Sequence, residues 1–488
     1  NGEGTPPNQE AALRWFEKAA EQGHMDAQDK CGWMYANGEG TPPNQEAALR
    51  WFEKAAEQGH MGAQYKCGYM YYDGEGTSVD KEIALRWLEE AAKQGHKVAQ
   101  LCCGLMYRNG DGISANQETA LQWLEKAAVQ GLEDAQFIYG WMYYNGEGTE
   151  ANKETALRWF EKAAALGHKD AQFKCGWMYY DGEGTSPNKE TALRWFEKAA
   201  EQGHMDAQYK CGWMHYDGEG TSLNKETALQ WFEKAAELGH KTAQFKCGQM
   251  YYDGEGTAPN KKAALRWFEK AAALGHMDAQ FKCGWMYRNG EGTSPNKEVA
   301  LRWFEKAAAL EHKDAQYECG WMYDNGKGTA PNKETALRWF EKAAAQGHMD
   351  AQNKCGWMYY SGEGTAVDRP KAHRWWELAA KQGHKVAQYN CGVMYSNGDG
   401  TATDKEAALK WYELSAGQGY ANAQFNCGLL YAKGEGTPVN KETALRWFEK
   451  AAAQEHKGAQ FKCGWMYDKG EGTPVNKATA LQWFEKAA

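Results

Sequence analysis

The sequence predicts an all-α solenoid of helical hairpins, and three observations predict it. A 36-residue period runs through all 488 residues without insertion, each period holds two short segments of helical apolar spacing, and a glycine-rich turn separates successive periods. The turn Asn1-Gly2-Glu3-Gly4-Thr5 recurs with small changes, and full repeats start at 1, 37, 73, 109, 145, 181, 217, 253, 289, 325, 361, 397 and 433, with a partial fourteenth at 469. A fixed period in this range marks units too small to fold alone, which bury their apolar faces on their neighbours. Residues 1–488 therefore read as one continuous array rather than as several domains.

The repeat 181–216 shows how each element is specified. Asp181-Gly182-Glu183-Gly184-Thr185 is a turn whose glycines accept positive φ. Asn188 is an N-cap, and a first helix, A, is predicted from Lys189 to Glu201. Ala192, Trp195, Phe196, Ala199 and Ala200 give it an apolar face, and Glu190 precedes Arg194 by four residues, the favoured order for an ion pair. Gly203 closes it as a left-handed cap. A second helix, B, is predicted from Met205-Asp206 to about Tyr216, with Ala207, Cys211, Met214 and His215 near one side. Gly212 costs roughly 1 kcal/mol of helix propensity, so its return in every repeat implies close packing. The expected core is Trp195, Ala199, Ala200, Ala207, Cys211 and Gly212.

The pattern Ala192, Trp195, Ala199, Ala200, Gly203, Ala207, Gln208, Gly212, with Gly182 and Gly184, resembles the Sel1-like repeat family, relatives of the tetratricopeptide repeats. The resemblance covers every repeat. It implies a right-handed α/α superhelix and a role as a scaffold for protein–protein contacts, without chemistry of its own. Where the family usually places leucine, this chain has Cys211 and its equivalents. The lighter core this implies is offset by the nearby Trp213.

Charge and cysteine usage narrow the function. The net charge is −9, but both signs are interspersed in each repeat, with no basic stripe for nucleic acid. No apolar run approaches a membrane span in the covered segment. Twelve of the 13 cysteines take one position of the repeat, from Cys31 to Cys463. Stacked hairpins are spaced by roughly 10 Å, beyond disulfide reach, so these are expected to be reduced, buried thiols. Free thiols favour a reducing compartment, although a leader outside this segment would change that.

Candidate sites were weighed against plain structural roles. Ser186-Pro187-Asn188-Lys189 fits a Ser-x-x-Lys tetrad, but no Ser-Asp-Asn or Lys-Thr-Gly partner accompanies it. The paired cysteines of penicillin-binding Sel1 relatives are also missing. His204 and its equivalents begin helix B in eleven repeats, and Cys211, seven residues on, lies about 10 Å away along a helix. A helix-entry role is expected, with no metal, no cofactor and no catalytic group. The interface candidates are aromatics on helix B: Phe173, Trp177 and Tyr180, then Tyr209, Trp213 and Tyr216, then Phe245, Tyr252, Phe281 and Trp285. The stripe either packs on the next hairpin, the favoured reading, or forms an exposed ladder. Its last position varies through Arg108, Arg288, Asp324 and Asp468, which implies exposure there.

Segments 73–144 and 361–432 differ from the other repeats in matching ways, at an offset of 288 residues, which implies an older duplication of eight repeats. Residues 1–25 and 37–61 are identical, which implies recent expansion, and the end repeats lack polar caps, as in an excerpt of a longer array. The expected function is a non-catalytic scaffold holding a protein or peptide in a concave groove lined by helix A. The alternative is self-assembly into a filament or tubule, which near-identical surfaces favour.

Overall fold

The computed structural model describes residues 8–488; the opening turn at Asn1-Gly2-Glu3-Gly4-Thr5 lies outside them. Among the described residues there are 27 α-helices and no strands, arranged as successive hairpins. The chain divides into two compact parts, Asn1–Ala243 and Gln244–Ala488.

In the first part, helix A of the repeat read above runs Lys189–Glu201 and helix B runs Met205–Asp217. Asn188 caps helix A by accepting from the Thr191 amide at 2.9 Å. Gln202 and Gly203 (φ +80°) turn the chain sharply, and the His204 amide donates back to the Ala199 carbonyl at 3.1 Å. Helix B ends on Gly218 in the left-handed region, and the Asn224 amide then donates to the His215 carbonyl at 2.8 Å. The intervening loop is held against the start of its own helix A. A Cβ on Gly220 would stand 2.3 Å from the Lys189 carbonyl oxygen, so only glycine fits.

The core of this repeat is Ala192, Leu193, Phe196, Ala199, Ala200, Ala207, Cys211 and Met214. The preceding hairpin contributes Phe173, Trp177, Tyr179 and Tyr180 to its edge. Helix B of one hairpin thus packs on helix A of the next. The closest approach is at Gly176, where an added Cβ would meet the Phe196 ring at 2.5 Å, and at Gly212, which meets Phe232 at 2.6 Å in the same way. The recurring helix-B glycine makes room for the recurring phenylalanine.

The second part repeats this construction. Ala300, Leu301, Phe304, Ala307, Ala308, Ala315, Cys319 and Met322 form one core, flanked by Phe281 and Tyr287 of the hairpin before it. Two turns break the glycine rule: Glu311 and Glu455 take φ +67° and +61° where other repeats have glycine.

One expected core residue sits elsewhere. Trp195 is half-buried, while its neighbour Phe196 is fully enclosed. One residue is about 100° of helix rotation, enough to place Phe196 against Gly176 and leave Trp195 at the edge of the packed face. There Lys198 lies 4.3 Å from its ring centroid. Ala199, Ala200, Ala207, Cys211 and Gly212 are buried.

Candidate functional site

Two surfaces are built by repetition: the helix-B seam between hairpins and the open face of helix A. The seam contains the aromatic stripe. Phe173 stacks on His204 of the next hairpin at 4.3 Å and tilts against Phe196 at 5.6 Å. Trp177 meets Phe196 and Tyr180, each at 5.6 Å. Tyr209, Trp213 and Tyr216 repeat the arrangement, with Tyr209 stacked on His240 at 4.2 Å and Trp213 against Phe232 at 5.6 Å. In the second part Phe245 stacks on His276 and Phe281 on His312, at 4.4 and 4.5 Å. These side chains are half-buried, with one edge on the next hairpin and one toward solvent. Trp285 is more open, at 39% exposure, and Arg288 lies 4.3 Å from its ring.

Polar partners finish each seam. The Tyr180 hydroxyl donates to Glu219, which also bonds Lys189. Lys210 stands 3.7 Å from the Tyr180 ring centroid and 4.7 Å from that of Trp177. Tyr252 donates to Glu291 at 2.5 Å, and Lys261 lies over its ring. Hydrogen bonding to Glu219 and burial push the Tyr180 hydroxyl up to about 12, so it stays a donor.

Variation along the stripe is matched across the seam. Arg288 replaces the tyrosine and bonds Glu318, which replaces the helix-B lysine. Asp324 takes the same tyrosine position, facing Lys354 at 3.7 Å and bonding Lys333 at 2.5 Å. The side chains of Arg288 and Asp324 are only 20% and 10% exposed. The expectation that variation marks exposure fails here: Arg288 meets a glutamate in place of the lysine, and Asp324 pairs with the lysines that the other repeats already carry.

A second ladder was not visible in the sequence reading. Gln208 is buried and donates to the Ala200 carbonyl at 3.0 Å, within its own hairpin. In several repeats the side-chain oxygen of this glutamine accepts from the glutamine ending helix A of the next hairpin, as Gln172 does from Gln202 at 2.8 Å and Gln352 from Gln382 at 2.7 Å. Where leucine replaces that donor, at Leu166, Leu238 and Leu310, the buried Oε1 atoms of Gln136, Gln208 and Gln280 have no hydrogen-bond partner. The available signal was the return of this glutamine in every full repeat.

The helix-entry histidines stand at N-cap positions. The Nδ1 of His204 accepts from the Ala207 amide at 3.2 Å, and its Nε2 points to Asp170 of the previous hairpin at 3.5 Å. Burial lowers its pKa, against the opposing pull of Asp170. Cys211 is fully buried, and burial raises its thiol far above the ordinary value, which suppresses thiolate chemistry. Lys189 of the Ser-x-x-Lys tetrad is engaged by Glu219 and the Tyr180 ring. Among the described residues no group of three or more His, Cys, Asp or Glu is placed to hold a metal, and no helix is long and apolar enough to cross a membrane.

The helix-A face is the second surface. Thr335, Arg338, Trp339 and Lys342 line one shallow groove, and Pro370, Lys371, Arg374 and Trp375 line another. A lysine sits over the half-buried helix-A tryptophan in repeat after repeat, as at Lys162 over Trp159 (3.8 Å) and Lys342 over Trp339 (4.4 Å).

These features define an α/α solenoid whose hairpins present two repeated side-chain surfaces rather than a single cleft. The family described as Sel1 repeat matches residues 1–24, 26–60, 62–96, 98–132, 133–168, 169–204, 206–240, 241–276, 278–312, 313–348, 350–384, 385–420, 421–456 and 458–488. The chain belongs to the Sel1 repeat family, whose members typically serve as protein-interaction scaffolds. It is similar to the crystal structure of c5321, a protective antigen present in uropathogenic Escherichia coli strains displaying an SLR fold. The identity is 32%, over 90% of this chain and 93% of that one, with a TM-score of 0.68. It is also similar to a Sel1 repeat protein from Oxalobacter formigenes, at 33% identity over 62% of this chain and 89% of that one, with a TM-score of 0.53. No curated protein sequence matches the chain.

Proposed function

We propose that this protein is a non-catalytic scaffold that holds a segment of a partner protein against the exposed face of its A helices. The carrying observation is the recurrence there of arginine, tryptophan and lysine in open grooves, as at Arg338, Trp339 and Lys342. Tryptophan and arginine are the residue types that dominate interface energies.

Two arginines on this face differ from the others in a way that supports the reading. Arg194, Arg302, Arg338 and Arg446 each pair with the glutamate four residues before them. Arg266 and Arg374 have Lys262 and Pro370 at that place. Their guanidinium groups carry no intrahelical glutamate to displace when a carboxylate-bearing partner docks.

Self-assembly is a second reading, favoured by the identity of residues 1–25 with 37–61, since identical surfaces make regular lattices. Electron microscopy of the full-length protein at several concentrations separates the two. The scaffold reading expects dispersed single particles throughout. Ordered filaments or tubes that lengthen with concentration would overturn it in favour of self-assembly.

A further inference from the structure

The seam shows what its aromatic stripe binds. Lys174 lies 4.6 Å from the Trp141 ring and 3.7 Å from that of Tyr144, and Lys210 repeats this on Trp177 and Tyr180. In each case the next helix B delivers an ammonium group onto the rings of the helix before it. Both lysines are held below the ordinary pKa, chiefly by burial. A desolvated ammonium over aromatic faces gains a cation–π attraction. The rings form a box suited to an alkylammonium ion, and the chain ordinarily fills it itself.

At one seam of the first part the chain leaves the box open. Tyr65, Tyr69 and Tyr72 keep three aromatic rings on their helix, but Cys102 stands where Lys174 and Lys210 stand, and Leu105 stands where most repeats have tryptophan. The lost lysine and the smaller leucine leave a cavity of about 340 Å³, lined by these five side chains together with Asp73 and Asp111. Its polar lining favours a cation. Asp111 accepts from the Tyr72 hydroxyl at 3.3 Å and bonds Lys81, which lies 5.0 Å from the Tyr72 ring centroid and whose charge it neutralises. Asp73 adds a second carboxylate.

We propose that the cavity at Tyr65, Tyr69, Tyr72 and Cys102 is a binding site for an alkylammonium group. The group is either the side chain of a lysine on a partner protein or a free amine of the same chemistry. A neutral alkyl group of equal size gains the apolar contacts but neither the attraction of the ring faces nor that of the Asp73 carboxylate.

The test is a ligand-observed NMR titration of the whole chain with n-butylammonium, with n-butanol as the neutral counterpart. Saturable binding of butylammonium in the millimolar range is expected, with butanol at least tenfold weaker. Cys102→Lys restores the chain's own ammonium and is expected to weaken butylammonium binding at least tenfold. The variant reproduces what other seams already contain, and circular dichroism checks its fold. A second variant, Tyr72→Arg, copies the residue found at Arg108 and Arg288 and is expected to abolish binding. Equal binding of butanol, or undiminished binding in both variants, overturns the proposal. The peptide acetyl-Gly-Lys-Gly-amide distinguishes the source. Binding at least tenfold tighter than butylammonium supports a partner's lysine, and equal or weaker binding supports a free amine.

Discussion

The Tyr180 hydroxyl donates to the carboxylate of Glu219, 39 residues further along the chain and one hairpin away. Tyr144 makes the same bond to Glu183 at 2.5 Å, again 39 residues on. The hairpins of Tyr144 and Tyr180 are thus each tied to the next by a side chain that a single repeat, taken alone, would show as unpaired. Stability in such an array is a sum of intrinsic repeat terms and nearest-neighbour terms, and the seam is where the second kind resides.

The ion pair of Arg288 and Glu318 offers a direct test of that coupling. Glu318→Lys sets two cations together in a seam where both side chains are at most 20% exposed. It is expected to destabilise the array by about 2–3 kcal/mol, because it leaves an uncompensated, partly buried charge. Adding Arg288→Tyr rebuilds the tyrosine–lysine pair seen at Tyr180 and Lys210. The double variant is expected to recover most of the loss in urea unfolding, whereas additive losses would show that the two positions are not coupled.

The glutamine ladder predicts a stabilising change. Leu238 is 55% exposed and stands where Gln202 and Gln382 donate to their neighbours. Leu238→Gln supplies a donor to the buried Gln208 Oε1 and is expected to stabilise by about 1 kcal/mol, the usual net value of one hydrogen bond. The converse, Gln202→Leu, orphans Gln172 and is expected to cost about 1–2 kcal/mol. Thermal melts of both variants check the pair.

Two backbone positions should respond in opposite directions. Gly212→Ala drives a methyl into the Phe232 ring, 2.6 Å from the new Cβ, and is expected to destabilise by about 1–3 kcal/mol. Glu311→Gly relieves a non-glycine residue at φ +67° and is expected to stabilise by about 1 kcal/mol. Urea midpoints measured side by side suffice.

Acid is expected to loosen the array through its histidine caps. Burial lowers the pKa of His96, His204, His240, His348 and His384 in the folded protein. Each also uses Nδ1 to accept a backbone amide, so protonation there removes a cap. A folded pKa below the unfolded value of about 6.5 favours the neutral form in the folded state. The stabilisation is complete above that unfolded value and is lost as pH falls through the lower folded values. Melting temperature should therefore drop from pH 7.5 to pH 5. Replacing the five histidines by asparagine, a capping residue that does not titrate, should flatten the drop. An unchanged pH profile in that variant would remove the caps from the explanation.

The sequence carried the elements well, because their signals are local. Asn188, Gly203 and Gly218 punctuate the helices where the apolar period starts and stops, and helix A runs Lys189–Glu201 as read. The division between Trp195 and Phe196 was not legible. Both lie on the apolar side, and only the position of Gly176 in the preceding hairpin decides which one is enclosed. Nor was the work of Lys210 or Gln172 legible within one repeat, since Tyr180 and Gln202 lie about one repeat away. The exchange of Tyr and Lys for Arg288 and Glu318 was the signal that could have revealed the seam.

A photo-reactive p-benzoylphenylalanine placed at Trp339 on helix A or at Trp357 on helix B of the full-length protein, in its source cells, reports whether the A-helix face holds a protein partner. Cross-links from position 339 to a distinct protein are expected, lost when Arg338→Glu and Lys342→Glu reverse the neighbouring charges, and few from position 357. Cross-links confined to position 357, or made only to other copies of the chain, would contradict that reading.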